Sequence, residues 1–396
     1  MFEQKGRIIR DGKPLEFEYV PEVLIGRQDK TDQLETQFRP LFFSGSPCNA
    51  YLHGHVGSGK TVTARLFCRE MTKAFSDAGR RLDTIYVNCR IHGSEYAVML
   101  EMVRFFDKGF PDRGFSVDEM FSTFKRHVIS GLHPVVVILD EVDVLLSGTG
   151  RDTVYQLTRA SEGMPEGASI SLLMISQKSL DQISLDAASR STFGRSGTVE
   201  FERYGRSALQ GIVRQRVSLA LYPGVIEDEV VDLVVNNAEP YGDARMAIEV
   251  LRGACTKADG SGLTTVEPSC VQMAGSMERK DYSEKIVSEL NLERKIVLLS
   301  VARSLFKRAE VSMPHAEGTY AAACEEYGIP VKKHTQYYSY LQDLEHRNLI
   351  HTEVRRGPEG GRVTYISILN TPPKDLAEIL ESLIDVDRRR GESDEV

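Results

Sequence analysis

Gly54-His55-Val56-Gly57-Ser58-Gly59-Lys60-Thr61 is the stretch from which the rest of the chain is read. It fits the phosphate-loop pattern G-x-x-x-x-G-K-[ST]. Its glycines let successive backbone N–H groups turn inward and cradle phosphate oxygens. Lys60 then reaches the β- and γ-phosphates, and the Thr61 hydroxyl holds Mg²⁺. The flanks agree with the motif. Asn49–His53 reads as a short strand, and Val62 to Phe75 reads as a helix with Val62, Leu66, Phe67 and Met71 on one face. Strand, loop and helix together predict a nucleotide site from Gly54 to Val62, taking ATP or ADP with Mg²⁺.

Composition narrows the class. The chain has 396 residues and a net charge of −8, so a uniformly basic nucleic-acid coat is excluded while a local basic patch is not. The cysteines Cys48, Cys68, Cys89, Cys255, Cys270 and Cys324 show neither C-x-x-C nor zinc spacing, and read as reduced, buried thiols. Met1–Lys5 lacks the apolar core of a signal peptide. No apolar run reaches the ~18 residues of a membrane span, so a cytoplasmic protein without a membrane partner is expected.

Residues 1–20, with Asp11-Gly12 between two alternating runs, favour a small hairpin. From about 30 to 200, helices alternate with strands at Asn49–His53, Thr84–Asn88, Val135–Asp140 and Ser169–Ser176. The apolar runs Val135–Leu139 and Leu172–Ile175 predict buried parallel strands with helices on both faces. From about 205 to 280 only helical patterns remain: Ala208–Ala220, Ile226–Asn236 and Ala244–Ala254, with Asp259–Gly262 as a loop. The tail Asp387–Val396 is charged and reads as frayed.

Val135–Leu139 ends in Asp140-Glu141, 80 residues after Lys60. An Asp at such a strand end helps hold Mg²⁺, and a neighbouring acid polarises the attacking water. Three further runs carry a resemblance. Leu139-Asp140-Glu141-Val142-Asp143 is similar to the second nucleotide motif of AAA+ ATPases. Tyr241-Gly242-Asp243-Ala244-Arg245-Met246-Ala247 resembles the sensor-2 stretch of replication initiators, and Leu185–Phe193 resembles their arginine-finger box. The chain from about Pro21 to Ile368 thus resembles archaeal initiators related to the origin recognition complex and the cell-division-control proteins.

The resemblance implies roles for individual residues. Arg27, within Ile25–Asp29, belongs to a segment packing near the adenine. Arg245 touches the phosphates from a helical lid, in cis, and Arg190 faces a neighbouring subunit's nucleotide. Each Arg is a fixed cation for charge on a transferring phosphoryl group. The chain departs from the family at two places. Gln177 stands where the sensor-1 strand usually ends in Asn, and Ala188 stands where the finger box often has Arg. Both departures predict slow hydrolysis, about one event per binding cycle.

Residues 284–370 read as a winged helix. Its helices are Leu292–Lys307, Gly318–Tyr327 and the recognition helix Lys333–Arg347, followed by a hairpin of Ile350–Val354 and Arg362–Ile368. Such a helix presents its N-terminal residues to base edges, here Lys332, Lys333, His334, Thr335, Gln336 and Tyr337. Arg355, Arg356 and Arg362 around the glycine-rich tip suit phosphates or the minor groove. A second DNA contact is expected at Phe110–Ser116, through Arg113 with Phe110 or Phe115 as a wedge.

The sequence therefore predicts an AAA+ core with a parallel sheet (1–204), a helical lid carrying sensor 2 (205–283), and a winged helix with a charged tail (284–396). The resemblance implies an ATP-switched initiator, nucleoid-associated, that binds duplex origin DNA. Its implied partners are the replicative helicase and, in some settings, initiator paralogues. The rival readings are a nucleotide-dependent transcription regulator or inhibitory paralogue on the same fold, and an AAA+ motor or clamp loader acting in a ring.

Overall fold

The computed structural model describes residues 7–148, 150–183, 185–194, 197–306, 308, 310–347, 349–356, 362–368 and 373–393. The chain divides into two compact units, residues 1–248 and 249–396.

In the first unit, β1 (Asn49–Gly54), β2 (Asp83–Asn88), β3 (Pro134–Asp140), β4 (Ser169–Ser176) and β5 (Thr198–Phe201) form one sheet in the order β2-β3-β4-β1-β5. Every pairing is parallel. Strand side chains alternate between faces, so each strand feeds two cores. Val135, Val137, Leu139, Leu172 and Met174 face one of them. There they pack against α3 (Glu95–Phe106), through Val98, Met99 and Met102, and α4 (Val117–Gly131), through Met120, Phe124 and Val128. Val136, Ile138, Leu173 and Ile175 face the other. That face is covered by α1 (Gln28–Ser44), through Leu34, Phe38 and Leu41, and α2 (Lys60–Asp77), through Phe67, Met71 and Phe75. Continuous apolar strands buried on both faces are what a parallel sheet requires.

The short helices α5 (Val142–Ser147), α6 (Arg151–Thr158) and α7 (Ala187–Phe193) join these strands. After the sheet come α8 (Arg206–Ala220), α9 (Asp228–Ala238) and α10 (Ala244–Gly260).

The structure corrects three expectations. The N-terminal run forms no hairpin among the described residues. Ile9 bridges Leu221 instead, and the Arg10 and Asp11 amides donate to the Ala220 carbonyl at 2.8 and 3.0 Å. The Arg10 guanidinium donates to Ser218 and Leu219 carbonyls at 3.1 and 3.0 Å. Residues 8–11 thus satisfy the carbonyls that the end of α8 would leave unpaired, a partnership about 210 residues distant that local alternation cannot reveal. Second, α10 continues through Gly260, and its closing turn starts at Ser261. Third, Asp387 to Ser393 of the segment read as a frayed tail continue a helix, α15 (Pro373–Ser393), which buries Leu376, Ala377, Leu380 and Ile384 ahead of them; 394–396 lie outside the described residues.

The second unit continues with α11 (Pro268–Ser288), α12 (Leu292–Ser304), β6 (Val311–Ser312), α13 (Met313–Tyr327), α14 (His334–His346), β7 (His351–Arg356) and β8 (Arg362–Ser367). The strands make an antiparallel sheet in the order β6-β8-β7. With α12, α13 and α14 this is a winged helix. α12 runs through its centre, burying every side chain from Lys295 to Ala302. Lys295 is buried with them because its ammonium meets Asp387 of α15 at 2.6 Å. Asp387 keeps a third of its side chain in solvent and can rehydrate when alone. Lys295→Ala should therefore destabilise this unit by about 2–3 kcal/mol, mostly through lost packing, whereas Lys295→Met should cost under ~1 kcal/mol. Denaturant unfolding of the two variants checks this, and equal losses would mean that the charge itself carries the stability.

Candidate nucleotide site and candidate DNA-reading surface

The loop from Gly54 to Thr61 joins the end of β1 to the start of α2 at the carboxyl edge of the sheet. Its shape depends on glycine. Gly57 (φ +70°) and Gly59 (φ +91°) occupy the left-handed region, and a Cβ on either would overlap a neighbour, the Asp243 carboxylate or the Tyr204 hydroxyl. Lys60 is buried, and its ammonium donates to the Gly54 and His55 carbonyls at 2.8 and 2.7 Å. Burial pulls its pKa down to about 8, against the raising effect of Asp140. His55 is likewise held below its ordinary value, by partial burial and by the cations Arg203 and Lys60.

At the neighbouring strand end, Asp140 is buried and its Oδ2 accepts from the hydroxyls of Thr61 and Tyr86, each at 2.8 Å. Its Oδ1 accepts the Glu141 amide at 2.9 Å. Glu141 starts α5 with φ +54°, a left-handed conformation that costs a non-glycine residue roughly 1 kcal/mol. Its carboxylate meets Arg90 at 2.7 Å.

Lys60, Thr61, Val62, Asp140, Glu141, Gln177 and Arg245 line a single cleft with Val56, Gly57 and Gly59. With its open mouth the cleft encloses about 1130 Å³. Gln177, just beyond the end of β4, is exposed. Arg245, in the first turn of α10, is exposed and lies over the Phe17 ring at 5.5 Å.

Gly54, His55 and Ser58 of the loop lie outside this lining, and so do two predicted arginines, of which Arg190 was expected to face a neighbour's nucleotide. Arg27 is buried behind the loop, outside the cleft lining. Its guanidinium donates to the carbonyls of Ser58 (2.8 Å), Gly26 (2.9 Å) and Glu202 (2.6 Å) and stacks on Tyr204 at 3.7 Å. It braces the loop, with three of its five donors on protein carbonyls. Arg190, in α7, points at the Ile183 carbonyl (3.3 Å) and Asp181 (3.8 Å), away from this cleft.

Apart from Ile25, which lies in the segment expected near the adenine, the far side of the cleft was missed in the sequence. Val20, Pro21, Leu24 and Ile25, with Ile212 and Ile248, make an apolar wall suited to a base. Arg216 pins this segment to α8. Buried, with its pKa lowered by that burial, it donates to the Pro14 carbonyl at 3.1 Å and lies over the Tyr19 ring at 4.8 Å. Gln215 adds a 2.8 Å bond to the Val23 carbonyl. The available signal was the apolar pairs Val20-Pro21 and Leu24-Ile25 set among charges just before Gly26-Arg27.

In the winged helix, α14 divides by helical spacing. Tyr337, Tyr340, Leu341 and Leu344 face the core, while Lys333, Thr335, Gln336 and Tyr338 face solvent. Tyr337 is fully buried against Tyr320 at 4.9 Å, which removes it from the candidate DNA contacts. His334 meets Glu317 at 3.0 Å, and Lys332 is half-buried. Arg355 spans Glu310 and Glu353 at 3.0 and 2.6 Å, so a phosphate there would displace two carboxylates. Arg356 and Arg362 stand opposite each other at the wing end of β7 and β8. Their side chains and the tip Gly357–Gly361 lie outside the described residues.

In the core unit, Phe110 is buried and packs on Phe115 at 4.7 Å, and Arg104 binds the Phe110 carbonyl. Phe110 is therefore core and no wedge. Arg113 is exposed beside it, and Phe115 is partly exposed.

Among the described residues no helix is long and apolar enough to cross a membrane. A family model of the AAA domain matches residues 47–183. A model of the Cdc6 AAA+ ATPase-type lid domain matches 210–276, and one of the CDC6 C-terminal winged-helix domain matches 285–379. The chain is similar to the ORC1-type DNA replication protein of Thermococcus kodakarensis, 28% identical over 92% of this chain and 89% of that one. It is also similar to ORC1-type DNA replication protein 1 of Sulfolobus acidocaldarius, 26% identical over 98% and 96%. Among solved structures it resembles the Aeropyrum pernix ORC1 protein in complex with DNA, with TM-score 0.66, 26% identity and coverage of 97% and 100%. Pyrobaculum aerophilum Cdc6p gives 0.61, 25%, 96% and 99%.

A buried ammonium near pKa 8 must stay charged to hold phosphate, and bound phosphate raises its pKa. Nucleotide affinity should be flat below about pH 8 and should fall as pH rises beyond it, because binding then takes up a proton. Lys60→Arg, which does not titrate in this range, should lose that slope in nucleotide-binding calorimetry even if it binds more weakly overall. A slope retained in the variant would place the titration on another group.

Proposed function

We propose that this chain, which belongs to the ORC1/Cdc6 family of AAA+ proteins, is an ATP-dependent replication initiator that binds duplex origin DNA and helps recruit the replicative helicase. The observation that carries this reading is the convergence of Lys60, Thr61, Asp140, Glu141, Gln177 and Arg245 on one cleft, in a chain that also carries a winged helix. The residues fit a Mg²⁺-nucleotide. The loop is a cradle that a Cβ at Gly57 or Gly59 would fill, and the Lys60 ammonium is held beside it on the Gly54 and His55 carbonyls. The Thr61 hydroxyl and Asp140 carboxylate offer the oxygen pair that Mg²⁺ takes alongside phosphate and water.

In this reading the apolar wall from Val20 to Ile25 takes the base. Lys60 holds the β- and γ-phosphates, and Thr61 with Asp140 holds the metal. When bound, the metal neutralises charge on the phosphate oxygens. Glu141 and Gln177 orient the attacking water, and Arg245 supplies a cation from α10. Two features favour slow turnover. Glu141 is engaged by Arg90, and its release precedes any role as base. Arg190 lies outside the cleft, so this chain supplies no finger to its own site. Hydrolysis then resets a switch between states with different grips on DNA.

The DNA contacts proposed are Lys332 and Lys333 just before α14, His334, Thr335 and Gln336 in its first turn, Arg355, Arg356 and Arg362 on the wing, and Arg113 in the core unit. The relative solved with DNA supports duplex DNA as the ligand. Replacing Arg355 and Arg356 together by Ala should weaken binding to all sequences alike and lower the salt slope by up to about 2. Arg355 contributes less than Arg356 if the Glu310 and Glu353 pairs persist. Fluorescence anisotropy across a salt series reads this, and an unchanged slope would exclude the wing as a phosphate contact.

A further inference from the structure

We propose that Asp243 is a positioning residue that fixes the start of α10 to the phosphate loop and thereby aims Arg245 at the γ-phosphate. The inference rests on the reading of Arg245 above and names the device that makes this arginine part of the site.

Three observations carry it. First, Asp243 caps α10 from inside the protein. Its Oδ1 accepts the amides of Arg245 (2.7 Å) and Met246 (3.2 Å), and the residue is 2% exposed. Second, the same turn is bonded to the loop, because the Ala244 amide donates to the Gly57 carbonyl at 3.2 Å. Third, the carboxylate fills the space where Gly57 lacks a side chain, so loop and helix start fit only while residue 57 is glycine. On the other side, the Tyr204 amide donates to the Gly242 carbonyl at 3.0 Å, and Gly242 adopts φ +58°. The backbone on both sides of Asp243 is thereby fixed.

The electrostatics agree. Burial pushes the Asp243 carboxyl up, while its bonds to the Met246 and Arg245 amides, and the charges of Arg245 and Lys60, oppose the rise. Asp243 thus lies between the cation of the loop and the cation of the helix. Arg245 itself is exposed and rests over Phe17, on a backbone held by the Asp243 cap. A guanidinium on a fixed backbone loses less entropy on meeting a phosphate than one on a frayed helix end. Oδ1 acts as an uncharged acceptor would, so asparagine can replace the carboxylate in this role.

The test is a double-mutant cycle between Asp243 and Arg245 in the full chain, read as affinity for a fluorescent non-hydrolysable ATP analogue and for fluorescent ADP. Arg245→Ala should weaken the analogue about tenfold, roughly one charge-assisted hydrogen bond, and change ADP much less. Asp243→Ala should give the same selective loss, and the double variant should bind no more weakly than either single one. Asp243→Asn should stay close to the parent for both nucleotides. Melting without nucleotide reports whether each variant folds. If Asp243→Ala does not fold, the cycle is run with Asp243→Glu, which keeps the charge but cannot hold the short cap beside Gly57. Losses that multiply, equal losses for analogue and ADP, or an Asn variant as weak as Ala would each overturn the inference. Arg245→Ala binding the analogue like the parent would instead overturn the reading of Arg245, and this inference with it.

Discussion

The Lys60 ammonium, buried on the Gly54 and His55 carbonyls, is the interaction to which the rest of the core unit answers. A buried cation is costly unless it is bonded and near negative charge. The fold meets both conditions at the carboxyl edge of one sheet. β1 ends in the loop whose carbonyls accept from the ammonium, and β3 ends in Asp140. Arg27 holds the loop from behind, stacked on Tyr204 and bonded to the Ser58 carbonyl. The start of α10 holds it from the front through Gly57. A loop braced on both sides keeps its amides oriented before any anion arrives, and such preorganisation favours phosphate binding.

Much of this was legible in the sequence because it is local. The phosphate loop, the apolar strand ending in Asp140-Glu141 and the helical spacing of α14 are patterns within ten residues of chain. β4 was bounded residue for residue, since a strand buried on both faces has sharp apolar limits. What escaped depends on distant partners. Ile8–Asp11 alternates like a strand, but its partner is the end of α8. Arg27 reads as a residue beside the adenine until its carbonyl partners are seen, from Gly26 beside it to Glu202, 175 residues away. Tyr337 follows five polar residues at the start of a recognition helix, and its burial against the ring of Tyr320 makes it the first core residue of α14. β5, four residues long, is too short to stand out, yet it completes the sheet beside β1.

On the proposed reading, three features of the site suit switching better than rapid turnover. Glu141, the acid proposed to activate water, is paired with Arg90, the proposed finger Arg190 lies outside its own cleft, and Gln177 carries its amide one methylene farther than Asn would. On the proposed reading each feature leaves nucleotide binding in place and slows its consumption. Slow hydrolysis would make the bound nucleotide a lasting label, which suits the initiator role proposed above.

The central claim, that nucleotide occupancy of this cleft governs binding to particular duplex sites, is tested most directly by footprinting on genomic fragments of the source organism. The parent chain and Lys60→Ala are compared, each with and without ATP. The account predicts a few repeated sites clustered in one intergenic region, protected by the parent with ATP and weakened in Lys60→Ala. Protection spread evenly over all fragments, or identical for both proteins in every condition, would contradict it.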